Sequence, residues 1–267
     1  MQKSIGRFVN LNRFPIHDLD GVGAPLLESC QRSLEETALC RLPDFLLPET
    51  LQAILAEIRA AQSKTYWIES QRTAYSWRDL THLPETHPAR VSSPHRLGSI
   101  TRDQFDEAAT LLSLFKCEEL TEFVRRALGV ETLSRVECPY LSMNVKVMRE
   151  NALHGWHFDA NDGAVSLLVQ SARAGGEYQY VPYIRSDEDE NYEQVASTMG
   201  GDDKLVKGVD IAPGTLCLFK GSRSLHRVSP VTQGEPDRLI ALFAYDPKPG
   251  LVYNERTLQT VLGTLPA

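Results

Sequence analysis

The sequence predicts an α+β protein in which helices come first and an antiparallel sandwich or jelly roll follows. Up to Gly129 the apolar residues recur at helical spacing; beyond it they fall in short alternating runs separated by turn pairs. No long helical pattern separates those runs, which argues against a parallel sheet with crossover helices.

Taken in order, residues 25–61 carry two helical patterns split by a loop at Leu42-Pro43-Asp44. In the second, Leu51, Ile54, Leu55 and Ile58 follow the start signal Pro48-Glu49-Thr50. Between 62 and 99 periodicity disappears among Pro, His, Arg, Ser and Thr; the stretch reads as loop or irregular strand, and His82, His87 and His95 as loop residues. Residues 101–128 turn helical again and Gly129 stops them. Leu141, Met143, Val145 and Val147 then alternate with Ser142, Asn144 and Lys146, the pattern of a half-buried strand. Further short strands are expected at 164–170, 177–181, 209–211, 215–219, 225–228 and 238–245, with turns at Gly175-Gly176 and Pro213-Gly214. The acidic insertion 186–201 reads as a surface helix or lid, with Asp187 to Glu190 as a solvated helix start.

At 267 residues, with 42% hydrophobic and 24% charged side chains, the composition is that of a globular chain with a sizeable core. One domain over 1–267 is expected: helical support and pocket wall at 1–135, jelly-roll core at 136–250, C-terminal tail at 251–267. The net charge of −7 has the wrong sign for a general nucleic-acid or anionic-membrane binder. Five scattered cysteines without C-x-x-C spacing read as reduced thiols of a cytoplasmic protein. No apolar stretch suggests a signal peptide or a membrane span. Oligomeric state stays open.

The chemistry concentrates in His154-Gly155-Trp156-His157-Phe158-Asp159. In extended backbone His157 and Asp159 share a face, with Phe158 opposed and Trp156 on the side expected to join a core. His226, on the expected strand 225–228, can supply a third ligand. Two histidines and one carboxylate suit Fe(II) with positions left open, and no fourth ligand suggests a closed zinc site. Arg238 heads an otherwise apolar strand, where a guanidinium needs a partner: a bound carboxylate, or else a neighbour such as Asp237 or Glu235.

These residues resemble the Fe(II)/2-oxoglutarate-dependent dioxygenases, with their H-x-D…H triad and basic residue for the cosubstrate carboxylate. More narrowly, His154 to Phe158, Gly175-Gly176-Glu177-Tyr178, Asp189-Glu190-Asn191-Tyr192, Pro213-Gly214-Thr215-Leu216 and Ser224-Leu225-His226-Arg227-Val228 resemble the small enzymes that halogenate or hydroxylate free amino acids, typified by the lysine radical halogenases. The resemblance implies a double-stranded β-helix, cupin-like, with His157, Asp159 and His226 on Fe(II) and Arg238 on 2-oxoglutarate, and O2 as oxidant. Halogenases of that branch carry a small residue, typically glycine, where this chain keeps Asp159, so hydroxylation of an unactivated C–H bond is implied. The substrate expected is a small polar molecule, a free amino acid such as lysine or a relative. His154 matches a substrate-contacting position, whereas Ala160 stands where an acidic substrate contact is expected, a departure that bears on lysine itself. Asn144 is a further pocket candidate. The other readings are a cupin-type metalloenzyme independent of 2-oxoglutarate and a non-catalytic binding jelly roll.

Overall fold

A computed structural model describes residues 4–266. The N-terminal half contains α1 (Ala24–Thr37), β1 (Leu39–Leu42), α2 (Pro48–Ala61), β2 (Tyr66–Thr73), β3 (Ser92–Thr101), α3 (Thr110–Phe115) and α4 (Glu118–Leu128). The second half contains β4 (Ser134–Arg135), β5 (Met143–Met148), β6 (His154–His157), β7 (Ala164–Gln170), β8 (Ala174–Gly175), β9 (Tyr178–Val181) and α5 (Tyr192–Met199). There follow β10 (Lys207–Val209), β11 (Leu216–Phe219), β12 (Leu225–Val228), β13 (Val231–Gln233), β14 (Arg238–Asp246) and α6 (Glu255–Leu262). The helix signals act as expected: proline opens α1 and α2, and Gly129 caps α4 in the left-handed region at φ 71°.

An eight-stranded sheet in the order β1-β11-β7-β14-β5-β3-β2, with β4 attached to β14, faces a four-stranded sheet in the order β10-β9-β12-β6. All pairings are antiparallel, which gives a jelly roll. The outer face of the larger sheet, with Met143, Val145 and Val147 on β5 and Leu239, Ala241 and Phe243 on β14, joins α1–α4 in the main core. Each of these side chains larger than alanine contributes about 1.5–3 kcal/mol of transfer free energy when fully buried. The period-two alternation then turns Asn144, Lys146, Arg238, Ser99 and His95 toward the smaller sheet.

Four expectations change. Residues 62–99, expected as loop or irregular strand, hold two regular strands, β2 and β3, paired over eight consecutive positions from Tyr66↔Ser99 to Thr73↔Ser92; only 74–91 between them, with His82 and His87, is turn and loop. The outer residues of this pair are polar because β2 is an edge, which erases the apolar pattern. β5 is buried on both faces and not half-buried, since the second sheet covers its polar side. Residues 102–109 form a 3-10 turn and loop ahead of α3, not continuous helix. The C-terminal segment contains α6, whose Leu258 and Leu262 pack on Val136, Cys138 and Leu141. No helix among the described residues is long and apolar enough to cross a membrane.

Candidate metal centre

β6 and β12 pair so that His157 lies directly opposite His226. Asp159 follows two residues after His157, past the end of β6, and its backbone N–H donates to the Gly221 carbonyl at 3.1 Å. This brings one ligand atom from each of His157, Asp159 and His226 within 4.8 Å of the others, the only such group of His, Cys, Asp or Glu among the described residues. Asp159 Oδ1 lies 4.0 Å from His157 Nε2 and 3.6 Å from His226 Nε2. The Nδ1 atoms sit 2.8 Å from the Gly155 carbonyl oxygen and 3.0 Å from that of Ser224. A carbonyl only accepts, so each Nδ1 carries the proton and each Nε2 presents a lone pair to the centre. This donor set fits a six-coordinate Fe(II) held on one triangular face.

Sequence reasoning passed over Gly221. A Cβ there would fall inside the van der Waals radius of Asp159 Oδ2, so the residue leaves the space the carboxylate fills. Gly155 does the same between β6 and β3, where a Cβ would overlap Pro94 O and Ser93 Oγ. That close approach admits His95, which is no loop residue: it is 1% exposed, its ring 5.2 Å from His154 and 6.0 Å from His157, and neither ring nitrogen has a hydrogen-bond partner. His154 stacks on His157 with centroids 4.1 Å apart. Trp156 and Phe158 turn away into a separate apolar cluster with Tyr75 and Val181, as their alternation implies.

Arg238 is 3% exposed and, among the described residues, has no carboxylate partner; its hydrogen-bond contact is Met148 Sδ at 3.8 Å. Asp237, the alternative partner, instead accepts from Gln62 Nε2 at 2.6 Å. Gly176, at φ 71°, makes room for the guanidinium: a Cβ there would stand 2.9 Å from Arg238 Cδ. A buried, unpaired guanidinium fits a ligand carboxylate. Asn144 is buried with Oδ1 unpartnered and is not an exposed strand residue. The acidic run at 187–190 ends before α5 and is not its first turn; Asp187 to Asp189 are solvated as expected, whereas Glu190 joins Arg185 at 2.7 Å and also contacts Arg78.

Burial governs the protonation of the triad. It pushes His157 down to about 3, helped by His226, and His226 to about 4, and it lifts Asp159 to about 6 against the pull of His157. In metal-free protein the raised Asp159 contributes stability below its ordinary value of 3.8 and loses it as pH rises through about 6. The depressed histidines contribute above 6.5 and lose it as pH falls through about 4 and then 3. A cation requires the carboxylate ionised, so Asp159 is the proton's first competitor. Apparent Mn(II) affinity, followed by electron paramagnetic resonance, is expected to be flat above pH ~7 and to fall about tenfold per unit below ~6. A flat profile from pH 5 to 7 would remove Asp159 from the ligand set.

A family model described as Halogenase D (HalD) matches residues 23–259. Solved structures share the fold. A 2OG-Fe(II) oxygenase family oxidoreductase from Burkholderia pseudomallei has a TM-score of 0.52 at 16% identity, covering 84% of this chain and 92% of that one. The non-heme alpha ketoglutarate dependent carbocyclase SnoK from nogalamycin biosynthesis reaches 0.59 at 14% identity, covering 90% and 93%. The epimerase SnoN, solved with Fe3+, alpha ketoglutarate and nogalamycin RO, gives 0.56 at 12%, covering 87% and 98%. No curated protein matches in sequence.

Proposed function

This chain belongs to the Halogenase D family, and on that premise we propose that it is an Fe(II)/2-oxoglutarate-dependent hydroxylase acting on an unactivated C–H bond of a small polar molecule, a free amino acid or a relative. The observation that carries the reading is Asp159 Oδ1 at 4.0 and 3.6 Å from the two Nε2 atoms, a carboxylate seated where a third ligand belongs. When bound, Fe(II) and 2-oxoglutarate supply oxidation: O2 is consumed, the cosubstrate is decarboxylated to succinate and CO2, and one oxygen enters the substrate.

The residues divide this work. His157 and His226 donate Nε2 and are locked by their Nδ1–carbonyl contacts, and Asp159 gives the third donor. With three sites filled by protein, three remain for cosubstrate and oxygen. Arg238 takes the far carboxylate of 2-oxoglutarate, and Gly176 keeps its path open. Trp156 and Phe158 back the ligand strand and exclude water from behind. His154, stacked on His157, faces the substrate side. The whole chain acts as one oxygenase domain. Its five free, buried cysteines support a reducing, cytoplasmic setting.

The family's name makes halogenation the second reading, and Asp159 opposes it by filling the position that a halide would need. The test is turnover with Fe(II), 2-oxoglutarate and chloride across the free amino acids, scored by succinate release and product mass. A gain of one oxygen is expected. A chlorinated product from the unaltered protein would overturn the hydroxylase assignment, and succinate release unaffected by Fe(II) would overturn the oxygenase itself.

A further inference from the structure

Arg185 is buried and takes no part in the chemistry above, yet it lies against the ligand strand. Its guanidinium carbon stands 4.4 Å from the ring centroid of Phe158, the residue between the ligands His157 and Asp159. Arg185 Nη1 donates to Glu190 Oε2 at 2.7 Å, and Glu190 Oε1 accepts from Arg78. A buried guanidinium without a counter-charge is costly; one carboxylate shared with Arg78 lets Arg185 stay charged among Tyr75, Trp77 and Phe158.

The run Asp189-Glu190-Asn191-Tyr192, singled out in the sequence, delivers that carboxylate. The Ser186 N–H donates to the Asp189 carbonyl at 2.9 Å, and Asn191 Nδ2 donates to the Ile184 carbonyl at 2.9 Å. Asn191 itself takes the left-handed region at φ 49°, so the chain turns back on Arg185 and sets Glu190 beside it. Tyr192 then meets Tyr75 edge-on at 5.5 Å, and Val195 on α5 joins Trp156 and Phe158 in one apolar cluster. The insertion is thus fastened to the side of the smaller sheet that faces away from the metal ligands.

On its other side Arg185 grips the turn 221–224, whose four consecutive carbonyls are all engaged. The outer two hold metal ligands: Gly221 accepts from the Asp159 N–H at 3.1 Å, and Ser224 lies 3.0 Å from His226 Nδ1. The inner two belong to Arg185. The Ser222 carbonyl accepts from its Nε at 2.7 Å and also from its Nη2, and the Arg223 carbonyl accepts from its backbone N–H at 3.4 Å. Among the described residues no other side chain donates to the Ser222 carbonyl. A guanidinium presents its donors in a rigid fork, so two of them on one carbonyl fix the orientation of that peptide plane. His157 stands outside this arrangement, because its Nδ1 is held by Gly155.

We propose that Arg185, held by Glu190, is a positioning residue of the metal centre: it sets the 221–224 turn, and the outer carbonyls of that turn aim Asp159 and His226. The triad then has two independent supports, Gly155 for His157 and the Arg185 fork for the other two ligands. Glu190 acts at one further remove, by keeping the guanidinium in place. This deepens the reading of the three residues as metal ligands and rests on it.

The test reads the two ligand imidazoles separately. In metal-free protein carrying isotopically labelled histidine, the Nδ1–H resonances of His157 and His226 are told apart by the loss of one of them in His226→Gln, and their exchange with water is measured. Arg185→Lys keeps a charge beside Glu190 and loses the fork. It is expected to speed exchange at His226 by about tenfold or more while leaving His157 within about twofold. The same variant is expected to weaken Mn(II) binding by about 10- to 100-fold in titrations followed by electron paramagnetic resonance. Glu190→Gln, which keeps the fork and removes its counter-charge, is expected to move both readouts in the same direction by a smaller factor, and it stands in should Arg185→Lys fail to fold. Exchange that rises equally at both histidines, or Mn(II) affinity that stays within about twofold, would overturn the positioning role and leave Arg185 a packing residue. Failure of the unaltered protein to bind Mn(II) would instead overturn the metal centre itself.

Discussion

Replacing Arg238 by methionine is expected to raise the concentration of 2-oxoglutarate needed for half-saturation by roughly 100- to 1,000-fold, while the protein melts at the same or a higher temperature. The first effect follows from removing one member of a buried charge pair, which costs about 3–4 kcal/mol. The second follows from the state of Arg238 without ligand: 3% exposed, lowered to about 10 by burial, and facing only a thioether. An unpaired buried guanidinium destabilises the ligand-free fold, and methionine fills a similar volume without a charge to desolvate. Metal affinity is expected to hold, because Arg238 shares no contact with the triad. Calorimetry of 2-oxoglutarate binding and a thermal melt, run on the same preparations, check both halves. An unchanged cosubstrate affinity would move the carboxylate-binding role elsewhere, and a large drop in melting temperature would make Arg238 a structural residue.

Asp159→Gly is expected to lower hydroxylation by at least about 1,000-fold and metal affinity by more than the 10- to 100-fold typical of losing an outer-shell partner. The loop is expected to survive the change, since its backbone bond to Gly221 does not involve the side chain. The carboxylate's removal empties a space that Gly221 already keeps clear. Turnover of the variant in chloride should therefore exceed that in chloride-free buffer, and product mass reports whether chlorine is carried to carbon. Hydroxylation persisting at the original rate would show that Asp159 is not a ligand.

Much of this site was legible in the residues because its signals are local. H-x-D in extended backbone shares a face by geometry alone, and β7 and β12 begin and end where turn residues and alternation place them. Arg238 stood out because a cation heads an apolar strand. What escaped depends on pairing between distant segments. β2 and β3 look irregular in sequence, since β2 is a polar edge and β3 buries Ser93, His95, Ser99 and Thr101 in place of an apolar period, and with them went His95, Ser99 and Arg72. Lys146 was read as the solvent side of a half-buried strand, because nothing local reveals a second sheet above it. The argument applied to Arg238 fits Lys146 equally once that cover is known. Gly221 is a turn glycine in sequence, and only the approach of Asp159 gives it a reason.

The two faces of β5 answer to different demands. Met143, Val145 and Val147 belong to the core that holds the helices to the large sheet, whereas Asn144 and Lys146 on the reverse contribute nothing to it. Replacements at 144 and 146 therefore act on the inner side of the sheet, whereas Met148, the next residue on that face, packs with Leu97, Ala152, Val228 and Val231. One backbone thus carries both the pocket wall and the seat of the helices, so a slip of β5 by one residue would empty the core and fill the pocket in a single step.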